Sequence, residues 1–167
     1  MSDPLPTTGP FLRVFVYGTL KCGYNNHASL CHGYASRSTG VVRGRVFDRP
    51  EGCPTLFIPM EDVLAPGGAD LAADCRLPEN ALPPLDTNAA LTPPPTPWRH
   101  VAGEIFTFHD GPDRLRRLDI LEDFYPGEPS EYCRVVLPVR TSHGSVPCWA
   151  YISPHSARFQ AEYSEST

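Results

Sequence analysis

Between Met60 and Trp98 the chain runs through Pro66-Gly67-Gly68, Pro78, Pro83-Pro84 and Pro93-Pro94-Pro95-Thr96-Pro97. Proline fixes φ and removes a backbone donor, so this stretch cannot supply the central strands of a sheet. The remaining ordered core must therefore come from two flanks, residues 11–59 and 99–153, that meet across a long excursion. The excursion reads as an insert with one helical turn near Asp70 to Ala73. A PxxP ligand for a partner domain can be drawn at Pro94 to Pro97, but an insert that tolerates prolines is the plainer reading.

The flanks are rich in strands. Phe11 to Tyr17 is apolar on both faces, as in a buried strand. Val41 to Phe47 and Thr55 to Ile58 follow as shorter strands, separated by the turn Glu51-Gly52-Cys53-Pro54. Between the first two strands, Asn25 or Asn26 is a candidate cap for a short helix through Ala28, Leu30 and Cys31, ending near Gly33. After the insert come a strand at Val101 to Phe108 and a helix from Asp113 to about Phe124. That helix has Asp110 as cap and Pro112 in its first turn, and it stops at Pro126-Gly127. Cys133 to Val139 and Pro147 to Ile152 form a closing pair around Ser142-His143-Gly144-Ser145. Strands outnumber helices and do not alternate with them, which predicts an α+β fold: a small, mixed, strongly curved or closed barrel-like sheet with a few packed helices. The expected organisation is a flexible arm at 1–10, one domain at 11–153 with the insert at 60–98, and a polar tail at 154–167 that frays.

Composition narrows the function classes. A net charge of −5 without a basic patch argues against nucleic acid. The apolar runs are strand-length, too short to span a membrane, and MSDPLPTTGP lacks the basic and apolar regions of a secretory signal. The expected location is cytoplasmic, with reduced thiols. The six cysteines (Cys22, Cys31, Cys53, Cys75, Cys133 and Cys148) include no C-x-x-C pair and match no common zinc spacing. A catalytic cysteine or a metal centre is not expected.

One helix carries an acid out of place. At roughly 100° per residue, Leu115, Leu118 and Leu121 form a stripe, and Glu122 lies roughly 40° from its centre. Asp119 and Asp123 project about 100° or more away. Arg114 also falls near the stripe, where a first-turn residue can swing outward. A glutamate on the core side must be paired, face a cavity or hold its proton more tightly; otherwise it reaches solvent at a frayed helix end.

The first strand ends on a second unusual feature, Tyr17-Gly18-Thr19-Leu20. A tight bend there would present consecutive backbone N–H groups, and Gly18 would let a ligand approach the chain closely. Such a nest suits a carboxylate without needing a basic residue, with the Thr19 hydroxyl and Lys21 as supplements. A simple turn is the alternative.

Taken together, VFVYGTLKCGYNNH and the downstream LDILEDFYPGEPSEYCRVVLPV resemble the γ-glutamylcyclotransferase superfamily, with its AIG2-like and γ-glutamylamine cyclotransferase branches. That family has a first strand ending in YG(T/S), a helix with LD-x-x-E, and a tyrosine and arginine leading into a strand. Here these are Tyr17-Gly18-Thr19-Leu20, Leu118 to Glu122, and Tyr132-Cys133-Arg134. The resemblance covers Phe11 to about Pro59 and Val101 to Ile152. The insert and the lengthened segment Tyr125 to Glu131 depart from it.

The resemblance implies a γ-glutamylcyclotransferase-like fold and cleavage of a γ-glutamyl amide without water. The free α-amine attacks the side-chain carbonyl, giving 5-oxoproline and a released amine. Glu122 is the expected general acid/base. Tyr17, Gly18, Thr19 and Leu20 are expected to hold the substrate's α-carboxylate, with Tyr132 and Arg134 also binding substrate and Arg134 orienting a carboxylate or pairing with Glu122. No metal or organic cofactor is required, and the partner is a small γ-glutamyl molecule. The alternative is a non-catalytic AIG2-like module that binds a small carboxylate. The number of copies in the working protein is not written in the sequence.

Overall fold

The structure is a computed structural model in which residues 11–17, 32–48, 54–80 and 94–166 are described. The expected helix between the first two strands falls mostly outside them. Among the described residues, seven strands form one sheet: β1 (Leu12–Tyr17), β2 (Ser36–Asp48), β3 (Pro54–Phe57), β4 (Ala65–Pro66), β5 (Arg99–Phe108), β6 (Cys133–Thr141) and β7 (Gly144–Ile152). Their order is β3-β2-β5-β1-β7-β6-β4, with a further β2–β6 pairing at Val41 and Arg140. That bridge closes β2, β5, β1, β7 and β6 into a five-stranded barrel. Only β1 and β7 run parallel, meeting at Val14 and Trp149.

Alternation along the strands assigns the two faces. Phe15, Val42, Ile105, Leu137, Val139, Cys148, Ala150 and Ile152 fill the interior. The opposite face of the same strands, with Leu12, Val14, Phe106, Phe108, Val136, Trp149 and Tyr151, packs under two helices. These are α1 (Leu71–Asn80) and α2 (Gly111–Leu121). Closure depends on close backbone approach where Gly40 lies opposite Gly103. A Cβ at Gly40 would sit 2.4 Å from the Val139 side chain, and one at Gly103 would sit 2.5 Å from the Val16 carbonyl. Side chains there would force the strands apart.

The insert is part of this packing. β4 extends the sheet as a two-residue edge strand on β6, which is compatible with proline. α1 is longer than the single turn expected and contains Pro78. Pro78 has no N–H for the carbonyl of Asp74, four residues back. The Trp149 indole N–H donates to that carbonyl instead, at 3.1 Å.

Two local expectations are corrected. Asp110 stands at the N-cap of α2 but makes no side-chain cap bond. Its carboxylate instead receives Arg114 at 3.2 Å and Arg117 at 3.1 Å. Arg114 does not swing outward: it is buried, with its guanidinium 4.4 Å over the Phe108 ring. The C-terminal segment, expected to fray, forms α3 (Ser156–Ser166). Phe159 there packs on Phe47, Phe57 and Trp98, and Gln160 accepts the Met60 N–H at 2.9 Å. Among the described residues, no helix is long and apolar enough to cross a membrane.

Candidate active site

Topology gathers the site. β1 and β7 run parallel and β6 runs against β7, so the C-terminal ends of β1 and β7 and the start of β6 share one end of the barrel. Tyr17 is the last residue of β1, Tyr151 the penultimate residue of β7, and Tyr132 immediately precedes β6. The C-terminus of α2 delivers Glu122 to the same end. Its carboxylate lies close enough to Tyr17 and Tyr151 to hold both phenols in their neutral form more firmly.

Glu122 is the C-cap of α2, with its N–H on the Leu118 carbonyl at 2.9 Å. The next residue, Asp123, has φ of +54°. Its N–H bonds the Ile120 carbonyl at 3.2 Å, and the Phe124 N–H bonds the Asp119 carbonyl at 2.9 Å. This pair of bonds is a Schellman motif, with aspartate where glycine is usual. Phe124 then turns down to pack with Leu118 in the core. The helix end is therefore fixed on both sides of Glu122 and does not fray. Leu115 and Leu118 of the predicted stripe are buried.

Three tyrosines surround this end, and each hydroxyl has a partner other than Glu122. The Tyr17 hydroxyl donates to the Tyr151 carbonyl at 2.5 Å and accepts the Leu56 N–H at 3.3 Å. Tyr132 donates to the Pro54 carbonyl at 3.0 Å. Tyr151 donates to Asp119 at 2.6 Å. Among the described residues, none hydrogen-bonds or pairs with the Glu122 carboxylate. Burial, with no donor to offset it, pushes its pKa from an ordinary 4.5 to about 7. A carboxyl poised there can take and return a proton at neutral pH. Burial likewise raises Tyr17 and Tyr151 well above the usual phenol value.

Behind Tyr151 lies a buried ion cluster. Arg134 is 1% exposed. Its Nε and Nη2 fork onto Asp119 at 2.7 and 3.1 Å, its Nη1 reaches Asp74 at 2.9 Å, and Nη2 also bonds the Gly68 carbonyl at 3.1 Å. The guanidinium stacks 4.5 Å from the Trp149 ring and 5.2 Å from that of Phe124. The expectation that Arg134 orients a substrate carboxylate or pairs with Glu122 is corrected here. Two aspartates hold it, and no face of it is open to a ligand.

Tyr17, Tyr132 and Glu122 are thus brought together; Arg134 is one layer behind them. Gly18, Thr19 and Leu20 lie outside the described residues. Sequence reasoning missed Asp119, Asp74 and Tyr151. Asp119 projects away from the leucine stripe, and its burial follows only from an arginine on another strand. A groove of about 720 Å³, lined by Thr39, Arg43, His100, Arg140 and Ser145, lies on the outer face of the β2–β6 seam, and Glu122 is not among its lining residues. No group of three or more His, Cys, Asp or Glu among the described residues is placed to hold a metal.

These features can be set beside known proteins. A family model described as gamma-glutamyl cyclotransferase, AIG2-like, matches residues 14–87 and 84–166. The chain is similar in structure to an AIG2-like protein from Mus musculus, with 23% identity, 86% of this chain and 78% of that one covered, and a TM-score of 0.46. It is also similar to an Arabidopsis thaliana protein solved in solution, with 15% identity, 99% and 79% covered, and a TM-score of 0.46. No curated protein sequence matches the chain. The two matched segments of the family model together run through both flanks and the insert, and the chain belongs to the gamma-glutamyl cyclotransferase, AIG2-like family.

Proposed function

We propose that the protein is a cyclotransferase that cleaves a γ-glutamyl amide, either a γ-glutamylamine or a γ-glutamyl peptide, into 5-oxoproline and a free amine. The observation that carries this reading is Glu122: a half-buried acid with no bonding partner among the described residues, at the barrel end where β1 stops. A passive carboxylate binder gains nothing from such a group, because a second anion repels the ligand.

In the reaction, the α-ammonium of the glutamyl group loses a proton to the Glu122 carboxylate. The resulting amine nitrogen attacks its own side-chain carbonyl carbon and closes a five-membered ring. The bond from that carbon to the amide nitrogen then breaks as Glu122 returns the proton to the departing nitrogen, and the ring nitrogen passes its second proton to the released amine through the Glu122 carboxylate. No water is consumed. Nucleophile and electrophile share one molecule, so the protein's work is to hold the bent conformation and move the proton. The main-chain amides of Gly18, Thr19 and Leu20 are assigned to the substrate's α-carboxylate. Tyr17 and Tyr132 contribute ring surface, their hydroxyls being engaged by backbone carbonyls. Arg134 supports the site from behind Asp119.

The test incubates the protein with a panel of γ-glutamyl amines and peptides and quantifies 5-oxoproline beside the Glu122→Gln variant. At least one substrate should give product, with a loss of about 100-fold or more on substitution. A Gln variant as active as the parent removes Glu122 from the reaction. A silent panel leaves a binding module.

A further inference from the structure

The insert carries a buried carboxylate that the proposed reaction does not use. Asp74 on α1 is 5% exposed. Its Oδ2 accepts the Gly68 N–H at 2.7 Å and faces Arg134 Nη1 at 2.9 Å. Arg134 forks onto Asp119, and Asp119 accepts the Tyr151 hydroxyl at 2.6 Å. Tyr151 stands beside Glu122, and Asp119 precedes Glu122 by one helical turn on α2. A continuous set of charge-assisted bonds therefore runs from the insert to the Tyr151 hydroxyl.

We propose that Asp74 is a positioning residue for Glu122, acting through Arg134, Asp119 and Tyr151, so that the insert sets the geometry around the acid. Its consequence for turnover rests on the cyclotransferase reading; its effect on the Glu122 carboxyl does not. While Asp119 holds the Tyr151 hydroxyl, that hydroxyl cannot turn to donate to Glu122. Arg134 fixes Asp119, and Asp74 fixes Arg134 from the side that Asp119 leaves open.

The groups near Glu122 are Tyr17 from β1 and Tyr151 from β7, with Asp119 one turn earlier on its own helix and Arg134 and Asp74 behind it. The Tyr17 and Tyr151 phenols, their pKa raised by burial, stay neutral through the working range. Asp74→Asn loosens the hold on Arg134 and, through it, on Asp119 and the Tyr151 hydroxyl. A Tyr151 hydroxyl freed to turn toward Glu122 favours the ionised form of the acid and moves its titration to lower pH.

The experiment follows the Glu122 side-chain carboxyl by ¹³C NMR across a pH titration of the full chain, and the pH profile of 5-oxoproline formation beside it. Asp74→Asn is expected to lower the Glu122 midpoint by about half a pH unit or more, to move the profile the same way, and to reduce kcat with KM little changed. Asp70→Ala is the structural control. It removes a side-chain acceptor for the Ala73 N–H at the start of α1 and leaves the cluster intact, so it should shift neither. An unmoved midpoint in folded Asp74→Asn, or an equal shift in Asp70→Ala, overturns the proposal. Should the Asn variant not fold, Asp74→Glu decides. It keeps the charge but displaces Arg134, and an unchanged Glu122 carboxyl resonance there overturns the proposal equally. The titration reads the proposal even where no panel member gives 5-oxoproline, so its failure and that of the cyclotransferase reading are told apart.

Discussion

Tyr151 donates its hydroxyl to Asp119 at 2.6 Å while lying close enough to Glu122 for the acid to help hold the phenol neutral. The phenol nearest in kind to a donor for the acid is thereby committed to the residue one helical turn before it. An acid ringed by tyrosines would ordinarily be stabilised as a carboxylate. Here Tyr17 and Tyr151 place their hydroxyls on a backbone carbonyl and a second carboxylate, and burial alone governs Glu122.

This arrangement fixes the pH dependence of stability. The folded-state pKa of Glu122, about 7, is above its ordinary 4.5. Between those values the folded protein keeps a proton that the unfolded chain has released, so stability falls as pH rises through the window and is level above it. Glu122→Gln lacks this loss. The variant should match the parent near pH 4 and be more stable at pH 8 by on the order of 2–3 kcal/mol. Urea unfolding at the two pH values measures the difference, and an equal gap at both would contradict the burial argument.

Turnover should titrate in the opposite sense. The ionised carboxylate accepts the ammonium proton, so kcat/KM is expected to climb about tenfold per pH unit below roughly 7 and to level above it. The limb should be missing from the residual activity of Glu122→Gln. A profile already flat from pH 5 would mean that the acid titrates as an ordinary glutamate.

Arg134→Met keeps apolar bulk against Trp149 but leaves Asp74 and Asp119 buried without their shared cation. The expected cost is about 3–5 kcal/mol at neutral pH. It should shrink in acid, as Asp119, whose carboxyl is held above its ordinary value by burial, takes up a proton. Denaturation midpoints at pH 4 and pH 7 check both the size and the trend.

Asp123 holds the left-handed position that ends α2 immediately after Glu122. Asp123→Gly should fold and turn over normally, with stability changed by less than about 1 kcal/mol. Asp123→Val should cost about 1–3 kcal/mol, because a β-branched side chain resists that conformation. It should also lower kcat more than KM by shifting the acid. Thermal melts with steady-state kinetics separate the two; a valine variant with parental kcat would show that the cap does not place Glu122.

Much of the fold was legible along the chain. Strands at Leu12–Tyr17, Arg99–Phe108 and Cys133–Thr141 announced themselves by apolar runs, and the leucine stripe of α2 by its period. The nature of the acid was legible too, because a glutamate close to an apolar stripe is costly wherever that helix packs. The tail was not. SARFQAEYSES is polar by composition, and α3 is held by Phe159 meeting Phe47, Phe57 and Trp98, residues 61 or more positions away. The insert read as an excursion because its prolines exclude strands, yet α1 persists through Pro78 where Trp149 supplies the missing donor.

By itself, then, the sequence determined the local elements and the presence of a displaced acid, because period, proline and glycine act over a few residues. Only the tertiary structure decided what that acid faces. The parallel pairing of β1 with β7 brings Tyr17 and Tyr151 to one barrel end, and Arg134 buries Asp119 against the helical projection. Such partners come from strands far apart in the chain, and a one-dimensional pattern carries no record of which buried charge will find which.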